Sequence, residues 1–311
     1  MAYSVAPGDT LFGFVLGSQG KLTVDTIVQA NCLTSKLLTL GQVIYLPPGV
    51  AQNAPKIDDG SGSGTLLPAG LTRHANCPCT IVVRSGWRLE QIAAEIDTVP
   101  VGFTGRDFLA ATSGSAPTAG FGFLSGKPAG ASLNGFIFPG SYALDNSTTA
   151  IDFRNQTLRA FDAALPAQWR SDATKHGLTF YQTIVLASIV QRESYASVEQ
   201  VKIASVEYNR MAAGKALAST PTVQYAVGRP GNWWPRVGAA DLANRSRFNT
   251  YIWLGVTPTP ISNPDLSAIQ ATIYPANTNY QYFSGNCDAP GNFYATTWEV
   301  FDAMLKHCGQ G

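Results

Sequence analysis

Apolar and polar positions along the chain change period several times, and each change marks an element. Near the start, Tyr3-Ser4-Val5 reads as a short strand. Thr10 precedes a first apolar helix, Thr23 caps a second over Val24 to Asn31, and Val43-Ile44-Tyr45-Leu46 closes with a second strand. From Gly49 to about Leu66, including Asp58-Asp59-Gly60-Ser61-Gly62-Ser63-Gly64, the periodicity vanishes into Gly, Ser and Pro, which predicts a flexible linker over 49–67. A strand at Thr80-Ile81-Val82-Val83, a turn at Ser85-Gly86 and a helix from Leu89 to Ile96 follow. They form either a degenerate copy of the first unit or a strand and helix packed on what comes next.

From about Leu133 the pattern alternates helices with short strands. Thr179 and Gln182 have the spacing of a capping box and start a strongly apolar helix through about Ser194. Ser197 and Gln200 are expected to start another, through about Ala213. The last helix, near Thr297 to Lys306, carries Val300, Phe301, Met304 and Leu305 on one face and is read as packing. The fold class expected is α+β: a βααβ unit over 1–48, a linker over 49–67, a subdomain resembling the first over 68–130, and an α+β catalytic domain over 131–311.

Composition narrows the function. A chain of 311 residues with 45% hydrophobic residues can build more than one core. A net charge of +1 with no Lys/Arg run lacks the footprint of a nucleic-acid partner. Charged residues reach only 13%, with Ser, Thr, Asn, Gln and Gly in their place, which suits an exported protein meeting neutral sugars. No stretch approaches the roughly 20 apolar residues of a membrane span. A membrane anchor or signal segment is not present in this chain.

The five cysteines, Cys32, Cys77, Cys79, Cys287 and Cys308, make no zinc-ribbon pairs. With His74 three of them could in principle ligate a metal, but buried thiols or disulfides are the plainer reading, and no metal or organic cofactor is expected. Cys287 and Cys308 are expected to form a disulfide that pins the last helix, and Cys77-Pro78-Cys79 is too tight to bridge within itself.

No Gly-x-Ser-x-Gly elbow occurs, and His74, His176 and His307 fall in no catalytic pattern, so carboxylates lead. The six glutamates are Glu90, Glu95, Glu193, Glu199, Glu207 and Glu299. Glu90, Glu95, Glu199 and Glu299 read as solvated or capping residues. Glu193 stands apart because Leu186, Ile189, Val190 and Glu193 share one helix face. Desolvation there, with the helix C-terminus close by, raises its pKa as a general acid requires. Periodicity alone fits a solvated last-turn glutamate equally well.

Two resemblances sharpen this. Tyr3-Ser4-Val5-Ala6-Pro7-Gly8-Asp9-Thr10-Leu11, Ala30-Asn31 and Leu40-Gly41-Gln42-Val43-Ile44-Tyr45-Leu46-Pro47 resemble a LysM module, which implies glycan binding with Gly8, Asp9, Thr10, Leu11 and Asn31 at the site. Leu186-Ala187-Ser188-Ile189-Val190-Gln191-Arg192-Glu193-Ser194 resembles the active-site helix of the endolytic murein transglycosylases, the MltG or YceG-like family. Further matches follow in order at Asn134 to Pro139, Ala204 to Met211, Pro221 to Tyr225, Phe248 to Tyr251, Pro260 to Pro264, Tyr274 to Ala276 and Tyr280 to Phe283. Gln191, Thr220, Asn134, Gly140 and Asn292 depart from the family pattern.

The resemblance implies Glu193 as catalytic acid, with Gln191, Thr222, Gln224, Tyr225, Asn249, Tyr251, Ser262 and Asn263 binding the sugar. The sugar's own C6 hydroxyl can attack C1, so no second carboxylate is needed, and no partner to Glu193 is evident in the matched motifs. The implied substrate is the glycan strand of peptidoglycan, with wall-synthesis machinery as a further partner. The implied location is extracytoplasmic, at the outer face of the cytoplasmic membrane. The alternatives are a glycan-binding protein without catalysis, or a hydrolase leaving reducing ends.

Overall fold

Two threonines turn the extended N-terminal chain into helices. After β1 (Ala2–Ser4), Thr10 Oγ1 accepts the Gly13 N–H at 2.9 Å and starts α1 (Leu11–Gly17). Thr23 Oγ1 accepts the Thr26 N–H at 3.0 Å and starts α2 (Val24–Ala30). The chain returns as β2 (Val43–Tyr45), antiparallel to β1 with Tyr3 opposite Ile44. This is the expected βααβ order, closed over a core of Tyr3, Leu11, Phe14, Ile27 and Ile44.

The predicted linker begins later than expected. Residues Val50–Asn53 form α3, whose Val50 and Ala51 join that core, and β3 (Thr65–Leu66) pairs with the free edge of β1. Gly17 permits the approach of α1 to α3, since a Cβ there would lie 2.4 Å from the Val50 carbonyl oxygen. The computed structural model describes residues 1–6, 9–19, 21–31, 33, 36, 38, 41–54, 65–66, 79–99, 101–145 and 147–310. Gly8, Cys32, His74, Cys77 and Asp58 to Gly64 lie outside the described residues.

β4 (Cys79–Val83), α4 (Leu89–Ile96) and α5 (Gly105–Ala111) follow, and β4 takes β5 (Gly140–Leu144) as its strand partner. The segment 68–130 therefore does not close its own sheet, unlike the first unit it was expected to copy. By contacts the chain divides into one unit of Met1–Val82, Ala93–Phe108 and Ser141–Phe153 and another of Val83–Ile92, Leu109–Gly140 and Arg154–Gly311. Both boundaries expected near 67 and 130 are thus replaced by a chain that passes between the units more than once.

After α6 (Ala150–Ala164) and α7 (Ala167–Asp172), the larger unit is organised by α8 (Phe180–Glu193), α9 (Ser197–Ala212), α10 (Thr220–Val227), α11 (Ala239–Leu242) and α12 (Leu266–Ile273). The capping box at Thr179 is present, with Thr179 Oγ1 accepting from Gln182 N–H and Gln182 Oε1 from Thr179 N–H. The second expected box is not. Ser197 is already helical behind Ala196, and Gln200 Nε2 instead donates to the Ser194 carbonyl at 2.9 Å.

Tyr181 and every residue from Thr183 to Gln191 are buried, so α8 is a central helix covered on all sides. Its Leu186, Ile189 and Val190 pack with Ile203 and Ala204 of α9, Leu217 and Ile261. The chain ends in a hairpin of β6 (Tyr282–Gly285) and β7 (Asn292–Ala295), followed by α13 (Trp298–His307). The expected disulfide joins Cys287 to Cys308, with Cα atoms 5.5 Å apart. Among the described residues no helix is long and apolar enough to cross a membrane.

Candidate active site

Glu193 is the last residue of α8, the point where a buried helix reaches a cavity of about 460 Å3. Its Oε1 accepts a hydrogen bond from Ser219 Oγ at 2.5 Å. Desolvation raises the carboxyl to about 7, against the opposing pull of the Ser219 hydrogen bond and the Arg192 charge. The direction is the one that the helix pattern predicts.

Ser219 is held there by its neighbours. Ala218 adopts the left-handed backbone at φ 52°, an uncommon conformation for a residue with a Cβ. It is fixed by its N–H to the Thr250 carbonyl at 2.9 Å and by the Ser219 N–H to Thr250 Oγ1 at 3.0 Å. Thr222 Oγ1 completes the turn, donating to the Ser219 carbonyl at 2.6 Å and lying 2.8 Å from Thr250 Oγ1.

Most of the expected sugar-binding residues sit elsewhere. Tyr251 does line the cavity, its hydroxyl 3.0 Å from Thr220 Oγ1. Thr222 is fully buried behind Ser219, which makes it a support for that residue and not a sugar contact. Gln191 is fully buried too, and its Oε1 accepts the Asp265 N–H at 2.8 Å, fixing the start of α12. Asn249 Nδ2 donates to the carbonyls of Leu242 and Asn244, and Ser262 Oγ donates to the Ser188 carbonyl. Asn263 Oδ1 takes the N–H groups of Gly135 and Ile137, each at 2.9 Å, while its Nδ2 donates to the Trp87 carbonyl. Gln224 Nε2 donates to the Pro235 carbonyl. Tyr225 lies under the Arg88 guanidinium at 4.0 Å and lines a separate, smaller cavity with Glu90 and Asn134. These are internal struts, because a buried polar group must find a protein partner when water is excluded.

The same holds in the N-terminal unit. Asp9 Oδ2 accepts from Tyr3 O–H at 2.6 Å and from Ala6 N–H at 2.7 Å, Thr10 is a helix cap, and Leu11 is core. Asn31 Nδ2 donates to the carbonyls of Ile27 and Tyr45, and its Oδ1 accepts the Tyr45 N–H. All four build the unit itself.

Three residues enter the site unforeseen. Glu207 is a second carboxyl on the same cavity, only 1% exposed, with Oε2 buried and without a hydrogen-bond partner. Burial and then the Glu193 charge push it well above the carboxylate range, with Arg210 opposing. The sequence signal existed, since Gln200, Ile203, Ala204 and Glu207 repeat the spacing that singles out Glu193, and all four are buried. The expectation that Glu193 has no acidic neighbour is therefore overturned. Trp298 and Tyr282 also line the cavity.

Glu199 is likewise not the solvated residue expected. Burial works against its ionisation, but hydrogen bonds from Tyr294 O–H at 2.6 Å and Asn292 Nδ2 at 3.0 Å, with Lys202 nearby, hold it below the usual range. It ties α9 to β7.

Comparison with known proteins agrees with this geometry. An endolytic murein transglycosylase of Bacillus subtilis (strain 168) is 30% identical over 175 residues, covering 56% of this chain and 48% of the relative. One from Streptococcus pneumoniae serotype 2 is 28% identical over 240 residues, covering 72% of this chain and 43% of the relative. The chain thus corresponds to about half the length of these relatives. A crystal structure of a yceG-like protein from Listeria monocytogenes shares the fold with a TM-score of 0.63 at 22% identity, over 98% of both chains. A sequence profile of the YceG-like family matches residues 63–307, so the helix that ends in Glu193 and the cavity beneath it lie within a chain that belongs to the YceG-like family.

Proposed function

We propose that this chain is an endolytic transglycosylase that cuts within peptidoglycan glycan strands, between N-acetylmuramic acid and N-acetylglucosamine. The observation that carries the reading is the protonated Glu193 carboxyl at a polar cavity, held by Ser219. The relatives named as endolytic murein transglycosylases supply the substrate class.

Glu193 gives its proton to the glycosidic oxygen as the C1–O4 bond breaks, and N-acetylglucosamine leaves with a hydroxyl. The resulting carboxylate takes the proton of the muramic acid C6 hydroxyl as O6 bonds to C1. A 1,6-anhydro end results, Glu193 is again protonated, and no water is consumed. Glu207 does not turn this into ordinary hydrolysis. A base that activates water must be ionised at working pH, and burial beside Glu193 favours the neutral acid.

Residues 1–48 are proposed as the glycan-binding module, on their LysM resemblance and βααβ order. An extracytoplasmic location is proposed because a disulfide such as Cys287–Cys308 persists in oxidising compartments. Action on newly made strands would bring the chain beside the wall-synthesis machinery.

Glu193→Gln keeps size and hydrogen bonding but cannot donate the proton, so activity is expected to fall by about 100-fold or more. Products of intact glycan strands are read by chromatography with mass spectrometry. Undiminished anhydro ends from the variant would remove Glu193 as the acid, and reducing ends alone from the unmodified protein would make it a hydrolase.

A further inference from the structure

The C-terminal helix does not behave as a packing element. No residue of α13 is fully buried, and Val300, expected in its apolar face, is exposed. Its first residue, Trp298, is 53% exposed, yet the side chain is neither loose nor remote. It lines the cavity that holds Glu193.

Three aromatic contacts fix it. The Tyr282 ring meets Trp298 edge-on at 5.8 Å, Phe301 lies 5.7 Å from the indole, and Phe301 stacks on Tyr282 at 5.1 Å. Phe293 of β7 backs Phe301 at 5.5 Å. The disulfide joins the loop after β6 to the residue that ends α13, and Ser284 Oγ donates to Gln310 Oε1 at 2.9 Å. The indole is thus held in place before any ligand arrives, which lowers the ordering cost of binding.

We propose that Trp298, backed by Tyr282, is a stacking platform for a pyranose ring of the glycan strand, a subsite next to the one where Glu193 acts. An indole face matches the C–H face of a pyranose, whose hydroxyls then meet polar lining such as Ser284, Asn292 and Thr220. The cations near this wall, Arg210 and Lys215, lie 5.4 and 5.3 Å from the Tyr282 ring and pair with it, leaving Trp298 for a neutral ligand. The inference rests on the glycan-cleaving reading and adds the residue that positions the strand.

The test uses the full chain in two measurements. In steady-state cleavage of uncrosslinked glycan strands, Trp298→Ala should raise KM by roughly 10-fold with kcat little changed, and Trp298→Tyr should recover most of the loss. In Glu193→Gln protein labelled with 15N-tryptophan, the Trp298 indole resonance, identified by its absence in Trp298→Phe, should shift as N-acetylglucosamine tetrasaccharide is added. That probe is local, so binding at residues 1–48 does not mimic it. An unchanged KM in Trp298→Ala, at unaltered melting temperature, overturns the platform, as does an indole resonance that stays put while others move. A wild-type chain that cuts no strand removes the transglycosylase reading instead, so the two failures are told apart.

Discussion

At the residue scale, the two carboxyls on one cavity define how the protein should respond to pH. Glu193 is active as the acid, and its carboxyl is raised to about 7, so kcat/KM should stay level below that pH and fall about tenfold per unit above it. Both groups bind their protons more tightly folded than unfolded, where a glutamate titrates near 4.3. Their stabilising contribution is complete below about pH 4.3 and is lost as pH rises through the folded values. Glu193→Gln and Glu207→Gln, which cannot ionise, should therefore gain in melting temperature over the parent as pH is raised from 5 to 9, by a few degrees. Melting curves at both pH values check this, and a gain that does not grow with pH would mean the carboxyls are better solvated than their burial implies.

Glu193 was readable in the sequence because a helical period and a motif converge on it. The polar residues around it were not. Thr222, Asn249, Ser262 and Asn263 lie in motifs, but a buried strut and a sugar contact use the same residue types. Which carbonyl each one meets is decided by segments as distant as Trp87 and Asn263. Glu207 was overlooked because its neighbours Val206 and Tyr208 draw attention to packing, although its own spacing equals that of Glu193.

At the element scale, local chemistry predicted starts better than partners. Thr10, Thr23, Thr179 and Thr297 all cap the helices they were expected to start, each accepting a backbone N–H within three residues. Ser197 failed because Ala196 turns the chain first and Gln200 finds the Ser194 carbonyl. Strand pairing was unreadable, since nothing in Thr80 to Val83 names a partner near residue 140. The Cys287–Cys308 crosslink was anticipated, and its consequence belongs to this scale. It closes a loop with a sequence separation of 21 around the β6–β7 hairpin and α13. Replacing both cysteines by serine should cost about 3 kcal/mol in the chain-entropy model. Denaturant unfolding of oxidised wild type and the double variant measures it, and equal midpoints would show that the aromatic packing of Phe301 on Tyr282 and Phe293 holds the helix unaided.

At the scale of the whole molecule, the order of the motifs was readable from end to end, whereas the division into units was not. The chain leaves and re-enters the smaller unit at 93–108 and 141–153, and a linear reading has no means to see a return of that kind. The N-terminal βααβ element is the exception, because its core of Tyr3, Phe14, Ile27 and Ile44 and its internal hydrogen bonds through Asp9 and Asn31 come from one continuous stretch. Such a stretch can serve as a wall-binding part distinct from the chemistry at Glu193. Deleting residues 1–48 should then lower retention on insoluble peptidoglycan severalfold while leaving the cleavage of soluble strands within about twofold of wild type. Sedimentation with purified walls reads the first effect and product chromatography the second. Because Val50 and Ala51 of α3 join the same core, the deletion should be compared with one ending at residue 54, which removes that apolar surface too. If the longer deletion sediments with the wall as well as the intact chain does, the N-terminal unit is not its anchor, and wall affinity must come from the strand lying in the cavity itself.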